Sequence, residues 1–311
     1  MKLFLVLLFL FSNNSYSETT PSDQYEKPGP FDFVTDIPRS LKEGWEFSFN
    51  TKPATLWTWG GVIASSVVFY VYDEKIYKHA KILGNKLGLG NDDHTKPMIT
   101  IGGTNIFRGP TDLGSTMYFI GDGWLQTSIA ASFAITGAVT SDNRALQTGS
   151  QIMNSLITAS IPTQVLKRAT GREDPNRATK YRGRWRPFSP NYSKDVSAYD
   201  AVPSGHLMAA TSTLTVIDSN YPEYRSVIRP VGFTLLTLLS FQMVNIGVHW
   251  VSDYPLGLAF GYVFGKVAST HGKTNQEKEP DITSLSDWRF LPLYTSDENG
   301  RAMGGVALFD F

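Results

Sequence analysis

Residues 203–206 read Pro-Ser-Gly-His, and small apolar residues follow directly. Such a stretch reads as the start of a helix. The first backbone N–H groups of a helix have no partner, and the dipole makes that end positive. Ser204 is a good cap and carries a hydroxyl, and Gly205 lets a ligand come close to the backbone. An anion fits there, with the ionisable His206 beside it. A second set lies in "NIGVHWVSDYPLG", residues 245–257, where His249 and Asp253 stand four apart. On a helix that spacing puts both on one face. Asp253 would then accept the imidazole Nδ1–H, fixing the tautomer and leaving Nε2 as a nucleophile. The plain alternatives are an ordinary capped helix and a satisfied core histidine. The second is weakened because Asp253 adds another polar group to an apolar segment, and buried polar groups need partners. The third set is Lys167 and Arg172, cations able to neutralise phosphoryl oxygens. The plain alternative for these two is a solvated basic loop.

Something must hold these groups together. The chain has 311 residues and is 41% hydrophobic, enough for one large core or two modest ones. Twenty-eight basic and 28 acidic side chains cancel, which argues against a broadly basic nucleic-acid-binding protein. Cysteine is absent, which removes disulfides, thiolate nucleophiles and zinc–sulfur sites. Six stretches lack charge: 53–72, 123–141, 146–166, 207–217, 231–252 and 254–265. Their lengths and boundaries predict an all-α fold, a bundle of about five or six core helices over residues 54–272. Residues 1–17 read as a signal peptide, with Lys2, an apolar run and Ser15-Tyr16-Ser17 before Glu18. The expected location is therefore exported, in the periplasm or cell envelope. Residues 18–53 form a polar leader, expected to be irregular. In 273–311, "SDENG" separates two semi-apolar runs and predicts a small β-hairpin. Some helices approach the length of a membrane span. The polar groups of 146–166 favour a soluble domain in the envelope, with membrane association left open.

In their order along the chain, Lys167, then PSGH at 203–206, then His249-x3-Asp253 resemble the type 2 phosphatidic acid phosphatase superfamily. That superfamily also holds acid phosphatases and vanadium haloperoxidases. The resemblance covers roughly residues 120–270. It implies that His249 takes the phosphoryl group, that Asp253 orients it, and that His206 protonates the leaving oxygen. It implies that Lys167, Ser204 and the Gly205 N–H bind phosphate oxygens, with Arg172 as a further phosphate ligand. No metal or other cofactor is implied, and vanadate would act as a phosphate mimic. The implied partner is a phosphorylated small molecule or lipid, and no nucleic acid.

Two departures stand out. Asp174-Pro175 replaces the pattern's Arg-Pro, and Gln242-Met243 replaces its Ser-Arg. Arg172 could stand in for one missing arginine, and Lys180 with Arg186-Pro187 offers an off-by-one alternative. Asp174 could pair with a neighbouring arginine or change substrate preference. The leading expectation is a phosphatase acting on phosphomonoesters through a phosphohistidine. The alternatives are a vanadate-dependent peroxidase and a degenerate relative that binds a phosphorylated lipid or a partner without turnover.

Overall fold

Each of the six charge-poor stretches carries a helix. The computed structural model describes residues 24–102, 104–274, 288–294 and 303–309, so the signal-like segment 1–17 and the "SDENG" turn lie outside it. The elements are α1 (Asp32–Thr35), α2 (Ile37–Ser48), α3 (Pro53–Lys86), β1 (Thr95–Ile101), β2 (Thr104–Pro110), α4 (Leu113–Phe119), α5 (Gly123–Thr140), α6 (Asn143–Thr170), α7 (Gly205–Asn220), α8 (Arg225–Ile246), α9 (Tyr254–Ala268), β3 (Trp288–Tyr294) and β4 (Met303–Phe309). Capping fixes several starts. Asp122 accepts from the Trp124 N–H ahead of α5, and Asp142 accepts from Arg144 and Ala145 ahead of α6. β3 and β4 pair antiparallel from Trp288↔Phe309 to Tyr294↔Met303, as the C-terminal hairpin expectation requires.

α6 is the central helix, packed against α5, α7 and α9. Most of its polar residues are buried, and they find partners inside the protein. Ser155 accepts from the Ser212 hydroxyl of α7 at 2.7 Å, and Asn154 accepts from Ser40 at 2.7 Å. Gln151 accepts from Asn220 and donates to the His271 carbonyl. These are the polar groups that argued against a bilayer, and they face protein. α7 and α9 pack at backbone distance. A Cβ on Gly257 would stand 2.5 Å from the Ser204 carbonyl oxygen, and one on Gly261 2.5 Å from that of Met208. Glycines one turn apart let the two helices close on each other without side chains between. Leu207, Leu239, Met243 and Tyr254 fill the core beside this contact.

Three readings of the sequence change. The leader is not irregular throughout, because α1 and α2 lie in it. α2 buries Phe47 while Lys42 and Glu46 stay outside, and Phe47 packs with Phe264 and Val267 in one cluster. α3 does not stop near Tyr72. It runs 34 residues, and Asp73, which looked like its end, is buried inside the fold. The β1–β2 hairpin was not expected at all; its strands are seven residues each, with an irregular register near Pro97. α3 and the segment Pro222–Ile246 are long and apolar enough to cross a membrane by length and composition. α3 leaves Leu56, Trp57, Ile63, Val67 and Val68 exposed.

Candidate phosphate site

The two histidine motifs meet at the start of α7. Ser204 caps that helix by accepting from the Leu207 N–H at 3.4 Å, and its own N–H donates to the Asp253 carbonyl at 3.2 Å. That bond ties residues 203–206 to the segment after α8. The chain leaves α8 through Gly247, whose φ of +78° places it in the left-handed region that closes a helix. A Cβ there would also meet the Tyr77 hydroxyl at 2.9 Å. His249 and Asp253 therefore do not lie on one helix face as expected. His249 sits in a loop, and Val251–Asp253 form a 3-10 turn leading into α9.

This changes the orienting partner. His249 Nδ1 lies 2.7 Å from the Ala201 carbonyl oxygen and 3.9 Å from Asp253 Oδ2. A carbonyl oxygen only accepts, so Nδ1 carries the hydrogen and Nε2 keeps its lone pair. The tautomer expected from Asp253 is thus set by the main chain. Asp253 Oδ2 instead accepts from the Trp250 N–H at 2.7 Å, and Oδ1 pairs with Arg172 at 2.6 Å. His206 and His249 face each other with ring centroids 6.0 Å apart, and Tyr118 of α4 lies 4.5 Å from the His206 ring. Burial and the Lys167 ammonium lower the pKa of His206 to about 4. Burial first, then Lys167, also holds His249 well below the usual imidazole range. Both rings are neutral at pH 7.

Lys167, in the last turn of α6, reaches the same place. Its Cε would stand 3.9 Å from a Cβ on Gly205. Its Nζ donates to the Asp200 carbonyl oxygen at 2.5 Å and to Oδ2 at 3.1 Å. Lys167, Ser204, Gly205, His206 and His249 are therefore brought together. Arg172 is not part of that set. It is 1% exposed, and its five N–H groups go to Ser252, Asp253, Asp73 and, twice, the Arg182 carbonyl. None remains for a phosphate, so the stand-in role expected of Arg172 is lost to the frame. Arg186, the off-by-one candidate, donates to Glu173 at 2.7 Å and to the Tyr199 hydroxyl at 3.3 Å.

The departures occupy definite places. Met243 is fully buried, and its sulfur accepts from the Ser204 hydroxyl at 3.6 Å. Gln242 is buried and donates to the Leu89 carbonyl. Asp174 is 4% exposed and, among the described residues, pairs with no arginine. Three groups escaped the sequence reading: Asp73, Asp200 and the Ala201 carbonyl. Asp200 stands alone as a charge in "SAYDAVPSGH" and could have been noticed on that ground. Asp73 was read as a helix end, and a main-chain carbonyl leaves no signature in sequence.

Comparison with known proteins follows the same region. Residues 149–277 match the model of the PAP2 superfamily, so the resemblance read from the motifs holds over the segment that carries them. A lipid A 1-phosphatase of Rhizobium johnstonii is 30% identical over 118 residues, covering 37% of this chain and 44% of that protein. One of Rhizobium etli is 29% identical over 115 residues, covering 36% and 45%. The matched segments thus span less than half the length of these relatives. A transmembrane PAP2-type phosphatidylglycerolphosphate phosphatase from Bacillus subtilis aligns over 77% of this chain and 93% of its own, with 15% identity and a TM-score of 0.38.

Proposed function

We infer that this chain, with its PAP2 superfamily match at 149–277, is a phosphatase that hydrolyses phosphomonoesters, lipid phosphates among them, through a phosphohistidine on His249. The observation that carries this reading is the fixed tautomer of His249, whose Nδ1–H is held by the Ala201 carbonyl and which leaves Nε2 unprotonated on a ring whose centroid lies 6.0 Å from that of His206. Nε2 attacks phosphorus, and the P–O bond to the alcohol breaks. His206 passes a proton to the departing oxygen, and water then cleaves the phosphohistidine. Lys167, the Gly205 N–H at the start of α7 and the Ser204 hydroxyl, turned from its long 3.6 Å contact with the Met243 sulfur, hold the non-bridging oxygens. Arg172 acts through Asp253, which it holds in place, and Asp253 in turn fixes the loop of His249.

A lipid substrate is supported by the lipid A 1-phosphatases among the relatives. The apolar outer face of α3 supports a place at a membrane. The runner-up, a binding protein without turnover, draws on Asp174 and Met243 where the family pattern has arginines. The test is hydrolysis of phenyl phosphate and of a lipid phosphate in the presence of EDTA, with alkaline-quenched trapping of base-stable phosphohistidine. Turnover with label on the native chain and none on His249→Ala is expected. Label persisting on His249→Ala assigns the nucleophile elsewhere, and phosphate binding without turnover favours the runner-up.

A further inference from the structure

Asp174 lies where the chain borders the loop of His249: the Arg172 carbonyl accepts from the Ala201 N–H at 3.1 Å, the Glu173 carbonyl from the Trp250 indole N–H at 2.8 Å, and the Asn176 N–H donates to the Gly247 carbonyl at 2.9 Å. Of the aspartates around this loop, two are paired. Asp200 holds Lys167, and Asp253 holds Arg172. Asp174 has no such partner. It is 96% enclosed, and its Oδ1 is buried with no hydrogen bond among the described residues. Its main chain is fixed on both sides. The N–H donates to the Ser197 carbonyl at 3.1 Å, and the carbonyl accepts from the Arg177 N–H at 3.0 Å. The charged groups acting on it are Lys167 from α6, Asp195 and Asp200 from the loop before α7, and Asp253 from the turn before α9. Tyr118 of α4 and Tyr192 feel its charge in turn. An ionised carboxylate buried among three others, with one ammonium already shared, is strongly disfavoured. A carboxylic acid in that place costs far less and still offers an O–H.

We propose that Asp174 is a specificity-determining residue of the phosphate site: as a carboxylic acid it donates one hydrogen bond to a non-bridging phosphoryl oxygen, so the site takes phosphomonoesters as the singly charged monoanion. The proposal rests on the phosphatase reading for its chemistry. It fits the charges present. Among the described residues Lys167 is the cation brought to Gly205, and Asp200 already balances it. A dianion would add two negative charges against an ammonium that is already neutralised, whereas a monoanion adds one and meets a donor in place of a second cation. Burial first, and then the Asp200 charge, push the Asp174 carboxyl up to about 10, so the O–H persists through neutral pH.

Protons fit the same account. Both histidines are neutral in the free site, so neither holds a proton for the leaving alcohol. The ester monoanion brings one on its own P–OH. As the His249 Nε2–P bond forms and the P–O(ester) bond breaks, that proton passes to His206, and His206 gives it to the departing alkoxide. The products are the neutral alcohol and a phosphohistidine with the charge of the starting pair.

The experiment uses the full chain and measures kcat and KM for phenyl phosphate from pH 4.5 to 9, with inorganic phosphate binding by calorimetry at each pH. A phosphate ester loses its second proton near pH ~6. Native kcat/KM is expected to fall about tenfold per unit above that value, with KM carrying the loss. Asp174→Ala should raise KM and weaken phosphate binding at least tenfold at pH 5.5. Asp174→Asn keeps a neutral donor and should stay within about threefold of native. Asp174→Arg should improve dianion binding at pH 8 and move the falling limb up by a unit or more. Thermal melting identifies a variant that fails to fold, and the asparagine variant then decides. The proposal is overturned if Asp174→Ala turns over with native KM and pH profile, or if native protein binds the dianion as well as the monoanion. Asp174-dependent phosphate binding in a chain without turnover would sink the phosphatase reading and leave this inference standing.

Discussion

Replacing Arg172 by methionine separates a frame role from a ligand role. The guanidinium is 1% exposed at its side chain, and its partners Asp73 and Asp253 are both fully enclosed. Water does not screen these pairs, at 2.7 and 2.6 Å. Methionine fills much of the volume but leaves two buried carboxylates facing each other. Removing one partner of a buried ion pair costs about 3–5 kcal/mol. At ~2–4 °C per kcal/mol for a domain of this size, melting should fall by about 6–20 °C. Removing Asp73 as well, as Arg172→Met with Asp73→Leu, should return part of that loss, with a coupling of about 1–3 kcal/mol. The assay is thermal melting of native, single and double variants, with vanadate binding measured on each at a temperature where all are folded. A drop of under about 2 °C in Arg172→Met, together with a tenfold loss of vanadate affinity, would refute the reasoning and return Arg172 to the phosphate.

Three other outcomes follow from the geometry. His206 should contribute a loss of stability as pH is lowered from 6.5 towards 4, because the unfolded chain protonates it in that window and the folded chain does not, while the enclosed Asp174 and Asp253 carboxyls act in the opposite direction. Denaturation midpoints against pH for native and His206→Asn should show a shallower slope in the variant, His249 supplying what remains in the same direction. Gly257→Ala puts a methyl 2.5 Å from the Ser204 carbonyl oxygen, so it should cost about 1–3 kcal/mol and raise KM by displacing the start of α7; kinetics and melting on one preparation check both. Ile63→Lys with Val67→Lys should release the chain from membrane pellets into the soluble fraction while leaving the circular dichroism helical, if the outer face of α3 meets lipid.

The helices were legible because six apolar runs are bounded by charges and breakers, and local pattern decides where a helix can form. The capped start of α7 was legible for the same reason, since Pro-Ser-Gly is local chemistry. His206, His249 and Lys167 could be named from residue type and order, but their meeting depends on the bond from Ser204 to the Asp253 carbonyl and on the closeness of α7 to α9. Local spacing misled where tertiary contacts outweighed it. His249 and Asp253 are four apart, yet Gly247 ends α8 before them, and Ala201, 48 residues away, takes the imidazole hydrogen. Arg172 looked like a phosphate ligand from its neighbours in sequence. Only the fold brings Asp73 from α3 and Asp253 from the far loop around it, and a buried guanidinium goes to the carboxylates that enclose it. Asp174 is the converse: its sequence supplies arginines on both sides, yet among the described residues none pairs with it, leaving a carboxyl whose enclosure, before any neighbour in sequence, raises its pKa.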